Sequence, residues 1–240
     1  AKRSKRDNED AVKWLVDNYQ GKIIFTSTCS VYGKNNNLIT EEVIPNPLSV
    51  YAKTKLGAER YVVENAKDHL IFRLGTLYGL GDEHSRIRLD LVANVLAYRA
   101  ATGKPLSVFG GDQWRPLLHV KDVSEAVAFC LENNITGLYN LSEGNYRIKD
   151  IAEKIKETVP GAEVNYTAME FEDQRNYKVK NNKILSTGWA PKHTLVEGVE
   201  EIVKIFKENR IRNPSDPIYS NQGFLEEERR KHSGESFKPW

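Results

Sequence analysis

Two short apolar runs constrain this chain more than any other feature. Residues 22–28 (KIIFTST) and 69–79 (HLIFRLGTLYG) are almost continuously apolar and partly β-branched, the pattern of strands covered on both faces. Each follows a segment of helical periodicity. Ala11, Val12, Leu15, Val16 and Tyr19 precede the first run, and residues 51–66 precede the second. A helix between two buried strands is a crossover, and crossovers build parallel sheets. Between them, residues 33–49 (GKNNNLITEEVIPNPLS) are rich in Asn and Pro and read as a loop.

The second half continues in mixed style. Helical patterns cover 88–103, 120–134, 147–161 and 194–209, and short strands are expected at 105–110 and 137–142. From Arg210 the chain turns polar, with room for one short helix. The net charge of +2 argues against nucleic acid as a partner, and no apolar run reaches membrane-spanning length. Cys29 and Cys130 lie far apart without metal-ligand spacing, and His84, His119 and His193 do not cluster in sequence. Reduced thiols in a cytoplasm and no metal are therefore expected.

The candidate chemistry begins at residues 49–55 (SVYAKTK), where Tyr51 precedes Lys55 by one helical turn. A phenol titrates near pH 10 and is a poor base at neutrality, but a lysine on the same helix face stabilises its anion. The positive end of the helix dipole acts in the same direction. Tyr-x-x-x-Lys alone also fits any amphipathic helix. What distinguishes this copy is the hydroxyl-rich strand end before it, residues 25–33 (FTSTCSVYG).

Five blocks in order resemble the extended short-chain dehydrogenase/reductase family, the NAD-dependent nucleotide-sugar epimerases and dehydratases. They are STCSVYG with YAKTK, then FRLGTLYGLGD (72–82), RLDLVAN (88–94), RPLLHVKDVSEAV (115–127) and residues 173–203. The resemblance implies a Rossmann-type parallel sheet whose N-terminal portion is not represented, with a smaller mixed α/β substrate lobe. Residues 1–82 would be the C-terminal part of the cofactor domain, 83–208 the lobe with returning sheet elements, and 209–240 a polar tail.

It also implies roles for single residues. Tyr51 would be the catalytic base and acid, Lys55 would lower its pKa and bind the nicotinamide ribose, and Thr28 would hold the reacting sugar oxygen. Leu74 and Gly75 would line the nicotinamide pocket, and Arg115 and Arg175 would grip a substrate diphosphate. Cys29, Ser30, Thr76 and Asn94 would be further substrate contacts, Thr76 standing where the family often has Asn. Family dehydratases carry Asp-Glu after the catalytic Thr. Cys29 and Ser30 stand there instead, so a 4,6-dehydration is not expected. Cys29 is then either a second acid/base facing substrate or a small buried filler.

The implied function is an NAD- or NADP-dependent nucleotide-sugar epimerase. A reductase or dehydrogenase on a related nucleotide sugar is an alternative, as is a non-catalytic homologue that binds nucleotide sugars. A homodimer through helices 8–20 and 51–66 is expected by the same resemblance. No G-x-G-x-x-G or G-x-x-G-x-x-G occurs in the 240 residues, so the half that binds adenine and pyrophosphate is expected to lie outside them, in another chain, or to be lost.

Overall fold

The computed structural model describes residues 5–167 and 176–233. A π-helical turn, Arg6–Asp10, leads into α1 (Ala11–Asn18) and β1 (Ile23–Thr28), which ends in a 3₁₀ turn at Cys29–Tyr32. Then come β2 (Lys34–Ile39), α2 (Val50–Asn65), β3 (His69–Leu74), β4 (Thr76–Tyr78) and α3 (Val92–Ala101). They are followed by β5 (Leu106–Phe109), β6 (Trp114–His119), α4 (Val120–Glu132), β7 (Gly137–Leu141) and β8 (Gly144–Arg147). Next are α5 (Ile148–Thr158), β9 (Val164–Thr167), β10 (Asn176–Val179), α6 (Asn182–Leu185), α7 (Leu195–Lys207) and α8 (Asn221–Ser233).

The fold is α/β with a parallel central sheet, β1-β3-β7. Successive side chains point to opposite faces. Ile23, Phe25 and Ile71 pack under α1 and α2 with Val16, Ala58 and Val62. Leu70, Phe72 and Leu141 pack on the other face with Ala126 and Cys130 of α4. Cover on both faces is why these strands read as continuous apolar runs.

The run at 69–79 is two strands rather than one. At Gly75 the chain leaves the central sheet, and β4 pairs with β6 in a second sheet, β4-β6-β8, whose β6/β8 pair is antiparallel. The Gly75 N–H donates to Leu141 O at 2.8 Å, and a Cβ on it would lie 2.9 Å from the Pro116 carbonyl oxygen. Glycine lets the two sheets part at this point.

The Asn-rich loop is also corrected: residues 34–39 form β2, paired in parallel with β10. Most of its side chains are exposed, so it has no apolar signature, and backbone pairing with a distant segment defines it. The β5/β9 pair and β8 are likewise short and were not expected beyond β5. Around these strands α3, α5 and α7 bury a separate core that includes Leu96, Leu117, Ile151, Ile155 and Ile202.

A polar cluster ties this second core to the sheet ends. The Lys121 N–H donates to His119 Nδ1 at 3.2 Å, which leaves the proton on Nε2 facing Glu201 Oε2 at 2.9 Å. Lys121 Nζ and the Leu80 N–H also bond the Glu201 carboxylate. Burial works against that carboxylate's charge. The bonds from His119, Lys121 and Leu80 outweigh it and hold the pKa down to about 2.

A depressed carboxylate pKa stabilises the fold above the unfolded value, about 4.3, and the contribution is lost as pH falls toward 2. Glu201 is partly exposed, so about 1–2 kcal/mol is expected rather than the full value for a buried group. Urea unfolding at pH 7 and pH 3 should show Glu201→Gln losing less stability on acidification than the wild type by about that amount.

Candidate active site

Helix α2 opens with Ser49 as its cap, the Oγ accepting from the Ala52 N–H at 3.1 Å. Tyr51 therefore occupies the second helical position, half-exposed, in the turn where the helix dipole is positive. One turn on, Lys55 lies on the same stripe. Its Nζ donates to Thr26 O on β1 at 2.8 Å and sits 4.7 Å from the centre of the Phe25 ring. Burial pulls the Lys55 ammonium below the usual lysine range.

A second turn on, the same stripe reaches Glu59, which is 3% exposed. Its carboxylate accepts from both Nε (3.1 Å) and Nη2 of Arg73, itself 5% exposed, and from Ser27 Oγ at 2.7 Å. Arg73 Nη1 donates to the Tyr32 hydroxyl at 2.7 Å, and that hydroxyl donates to Asn140 Oδ1 at 2.7 Å. Burial pushes the Tyr32 phenol well above its ordinary range although Arg73 opposes it. Ser27, Arg73 and Asn140 are register partners across β1, β3 and β7, so they form one polar rung beyond the apolar residues that pack under α2. The next register row is Thr28, Leu74 and Leu141, at the carboxyl ends of the strands.

The structure brings several of the expected site residues together at this edge. Thr28 and Leu74 are register partners, Gly75 follows directly, and Lys55 is anchored two residues before Thr28. The Thr28 hydroxyl lies 2.6 Å from Ser30 Oγ and accepts from the Ser30 N–H at 3.2 Å. Thr76 starts β4, half-buried and paired with Leu117. Arg115 is buried on β6 two residues before Leu117, its Nη1 donating to Trp114 O at 2.9 Å. Arg175 lies outside the described residues.

Two expected substrate contacts have polar atoms bonded within the protein. Cys29 is fully buried and its thiol donates to Arg73 O at 3.0 Å. Burial pushes that thiol far above its ordinary range, against the pull of Arg73. Asn94 spends its amide on the loop before α3: Oδ1 accepts from the Gly79 N–H at 2.9 Å, and Nδ2 donates to Arg88 O at 2.8 Å.

Sequence reasoning missed Glu59, Arg73, Ser27, Asn140 and Tyr32. A signal was present in Arg73, because an arginine within a buried strand requires a partner.

A family model described as "NAD dependent epimerase/dehydratase family" matches residues 8–142. A UDP-glucuronic acid decarboxylase of Arabidopsis thaliana is 28% identical over 219 residues, covering 84% of this chain and 49% of the relative. A human dTDP-D-glucose 4,6-dehydratase is 26% identical, covering 78% of this chain and 57% of the relative. The chain thus spans about half the length of these curated relatives. Among solved structures, a UDP-glucuronic acid 4-epimerase from Bacillus cereus in complex with UDP-glucuronic acid and NAD superposes with a TM-score of 0.70. It is 26% identical, with 84% of this chain and 68% of that chain covered.

The buried thiols provide a simple check on the site. Cys29 and Cys130 are both buried, so the native protein should show no thiol reactive with Ellman's reagent at pH 8, and denaturant should release two. Rapid labelling of one native thiol would contradict the burial of Cys29.

Proposed function

The chain belongs to the NAD dependent epimerase/dehydratase family, and from that premise we propose that it is a nucleotide-sugar epimerase acting by transient oxidation of a sugar hydroxyl. The observation that carries this reading is the Lys55 ammonium, desolvated and fixed to β1 one turn below Tyr51, at the strand ends where Thr28 stands. In open parallel sheets, ligands bind at the carboxyl ends of the strands.

The residues at this edge suit the nicotinamide-ribose end of NAD or NADP. Among the described residues, Thr26 O is the one hydrogen-bond acceptor of Lys55 Nζ, so two of its three N–H donors remain for ribose hydroxyls. When bound, the cofactor would supply the acceptor that takes up and returns a hydride. Tyr51 would remove the proton from the sugar hydroxyl and give it back, as a general base and then acid. Lys55 would favour its phenolate electrostatically, and Thr28 would hold the reacting oxygen. Arg115, together with Arg175, would pair with the diphosphate of the substrate.

Dehydration fits less well than epimerisation. Cys29 and Ser30 supply no carboxylate after Thr28, and the Cys29 thiol is turned into the protein.

The same proposal includes a homodimer built through α1 and α2. The two helices lie side by side, the Tyr61 hydroxyl of α2 donating to Asp17 Oδ1 of α1 at 2.6 Å. Trp14 on α1 and Val63 on α2 remain 66% and 48% exposed, apolar surface that a partner copy would cover. Light scattering should give twice the chain mass for the wild type and the single mass for Trp14→Glu with Val63→Glu. A monomeric wild type would refute the dimer.

Tested against a panel of UDP- and dTDP-sugars with added NAD, Tyr51→Phe should lower kcat at least about 10³-fold and Thr28→Val about 10–100-fold. Lys55→Met should lower kcat and also weaken cofactor binding. Retained turnover in Tyr51→Phe would overturn the assignment of the base.

A further inference from the structure

We infer that Glu59 is a positioning residue for Tyr51 and Lys55, clamping helix α2 to the polar rung of the sheet so that the reactive pair keeps its register against Thr28. The inference rests on the functional reading above, and its support is geometric. Tyr51, Lys55 and Glu59 follow one another at four-residue intervals, so they form one stripe down α2. The upper part of the stripe is tied to β1 by Lys55 and Thr26 O. The lower part is tied to β1 by Ser27 and to β3 by Arg73. Ser27 and Arg73 directly precede Thr28 and Leu74, the row at the reaction edge.

The rung itself is held from a third side. Tyr32, at the end of the 3₁₀ turn that carries Cys29 and Ser30, bridges Arg73 to Asn140 of β7. Glu41 binds the same rung from the loop that leads to α2, accepting from the Asn140 N–H at 2.8 Å through Oε1 and from Arg73 Nη1 at 3.2 Å through its backbone oxygen. The elements that carry Thr28, Tyr51, Lys55 and Leu74 therefore all converge on the Glu59–Arg73 pair.

Apolar packing alone would hold α2 against the sheet but would leave it able to slide. Directional bonds to a carboxylate fix both the rotation and the axial position of the helix. An α-helix rises about 1.5 Å per residue, so Glu59 lies about 12 Å along the axis from Tyr51. A rigid helix passes a displacement at Glu59 undiminished to Tyr51, and about 1 Å of misplacement costs up to about 100-fold in rate.

The test separates positioning from stability. Replacing a buried ion pair by apolar side chains of similar volume is often neutral for stability, whereas removing one partner is costly. The double variant Glu59→Met/Arg73→Met should melt near the wild-type temperature. Two readouts are then taken. The first is the titration of Lys55, followed by NMR after ¹³C reductive methylation and assigned with Lys55→Arg. In the double variant it should move up toward the exposed lysines, because the ammonium loses its fixed, desolvated seat. The second is turnover of a nucleotide sugar, in which kcat should fall about 10–100-fold with KM changed less than about threefold.

Ser27→Ala, which leaves the ion pair in place, should move both readouts in the same direction by a smaller amount, and it carries the test if the double variant does not fold. A folded double variant, or failing that Ser27→Ala, with wild-type Lys55 titration and wild-type kcat would overturn the inference. If the wild type turns over no nucleotide sugar, the functional reading fails, and the Lys55 titration alone decides whether Glu59 positions the stripe.

Discussion

The ion pair between Glu59 and Arg73 is the interaction that ties helix α2 to the central sheet. Both side chains are buried, and their charges are satisfied by one another and by Ser27 and Tyr32. Burial alone would depress the arginine's pKa, but Glu59 and Tyr32 more than offset that effect and raise it. Removing one partner of such a pair typically costs about 3–5 kcal/mol, a large share of the roughly 5–15 kcal/mol that holds a domain together. The pair joins α2 to β1 and β3, and through Tyr32 and Asn140 it reaches β7. Most polar demands of the central sheet are thus gathered in one row, leaving its other inward positions apolar.

That arrangement has a consequence for chemistry. Catalytic groups need fixed geometry more than they need affinity. The row of Thr28, Leu74 and Leu141 lies one residue beyond the polar rung, and Lys55 is anchored within the same strand. A second polar cluster, His119 with Glu201 and Lys121, sits where β6 ends and α4 begins. It fixes the loop at Leu80 by which the chain passes from the sheets to α3. Helix α2 on the central sheet and the Leu80 loop beside the second sheet are thus each pinned by a carboxylate bound to a basic side chain, and the sheets part at Gly75.

Much of this was legible in the residues, and what was not has physical reasons. Strands covered on both faces betray themselves as apolar runs, so β1, β3 and β7 could be placed, as could the helices with an apolar stripe. β2 and β9 are short, largely exposed and paired with distant segments, and no local pattern encodes such pairing. The break at Gly75 was hidden because the apolar run continues across it into a different sheet. At the site, the spacing of Tyr51 and Lys55 was readable. The direction of a side chain was not: Cys29 and Asn94 sit in suggestive places but spend their polar atoms on Arg73, Gly79 and Arg88. Arg73 was the clue passed over, since a charge inside a buried strand implies a buried counter-charge.

The proposed epimerisation would oxidise a sugar carbon at this edge and return the same hydrogen to it from the other side. Isotope tracing tests it most directly, using a nucleotide sugar deuterated at the carbon to be inverted and turned over by the wild-type protein with unlabelled NAD in ordinary water. The account predicts that the deuterium is retained at that carbon in the inverted product. Loss of the label to solvent, or product inverted without label at that position, would contradict it.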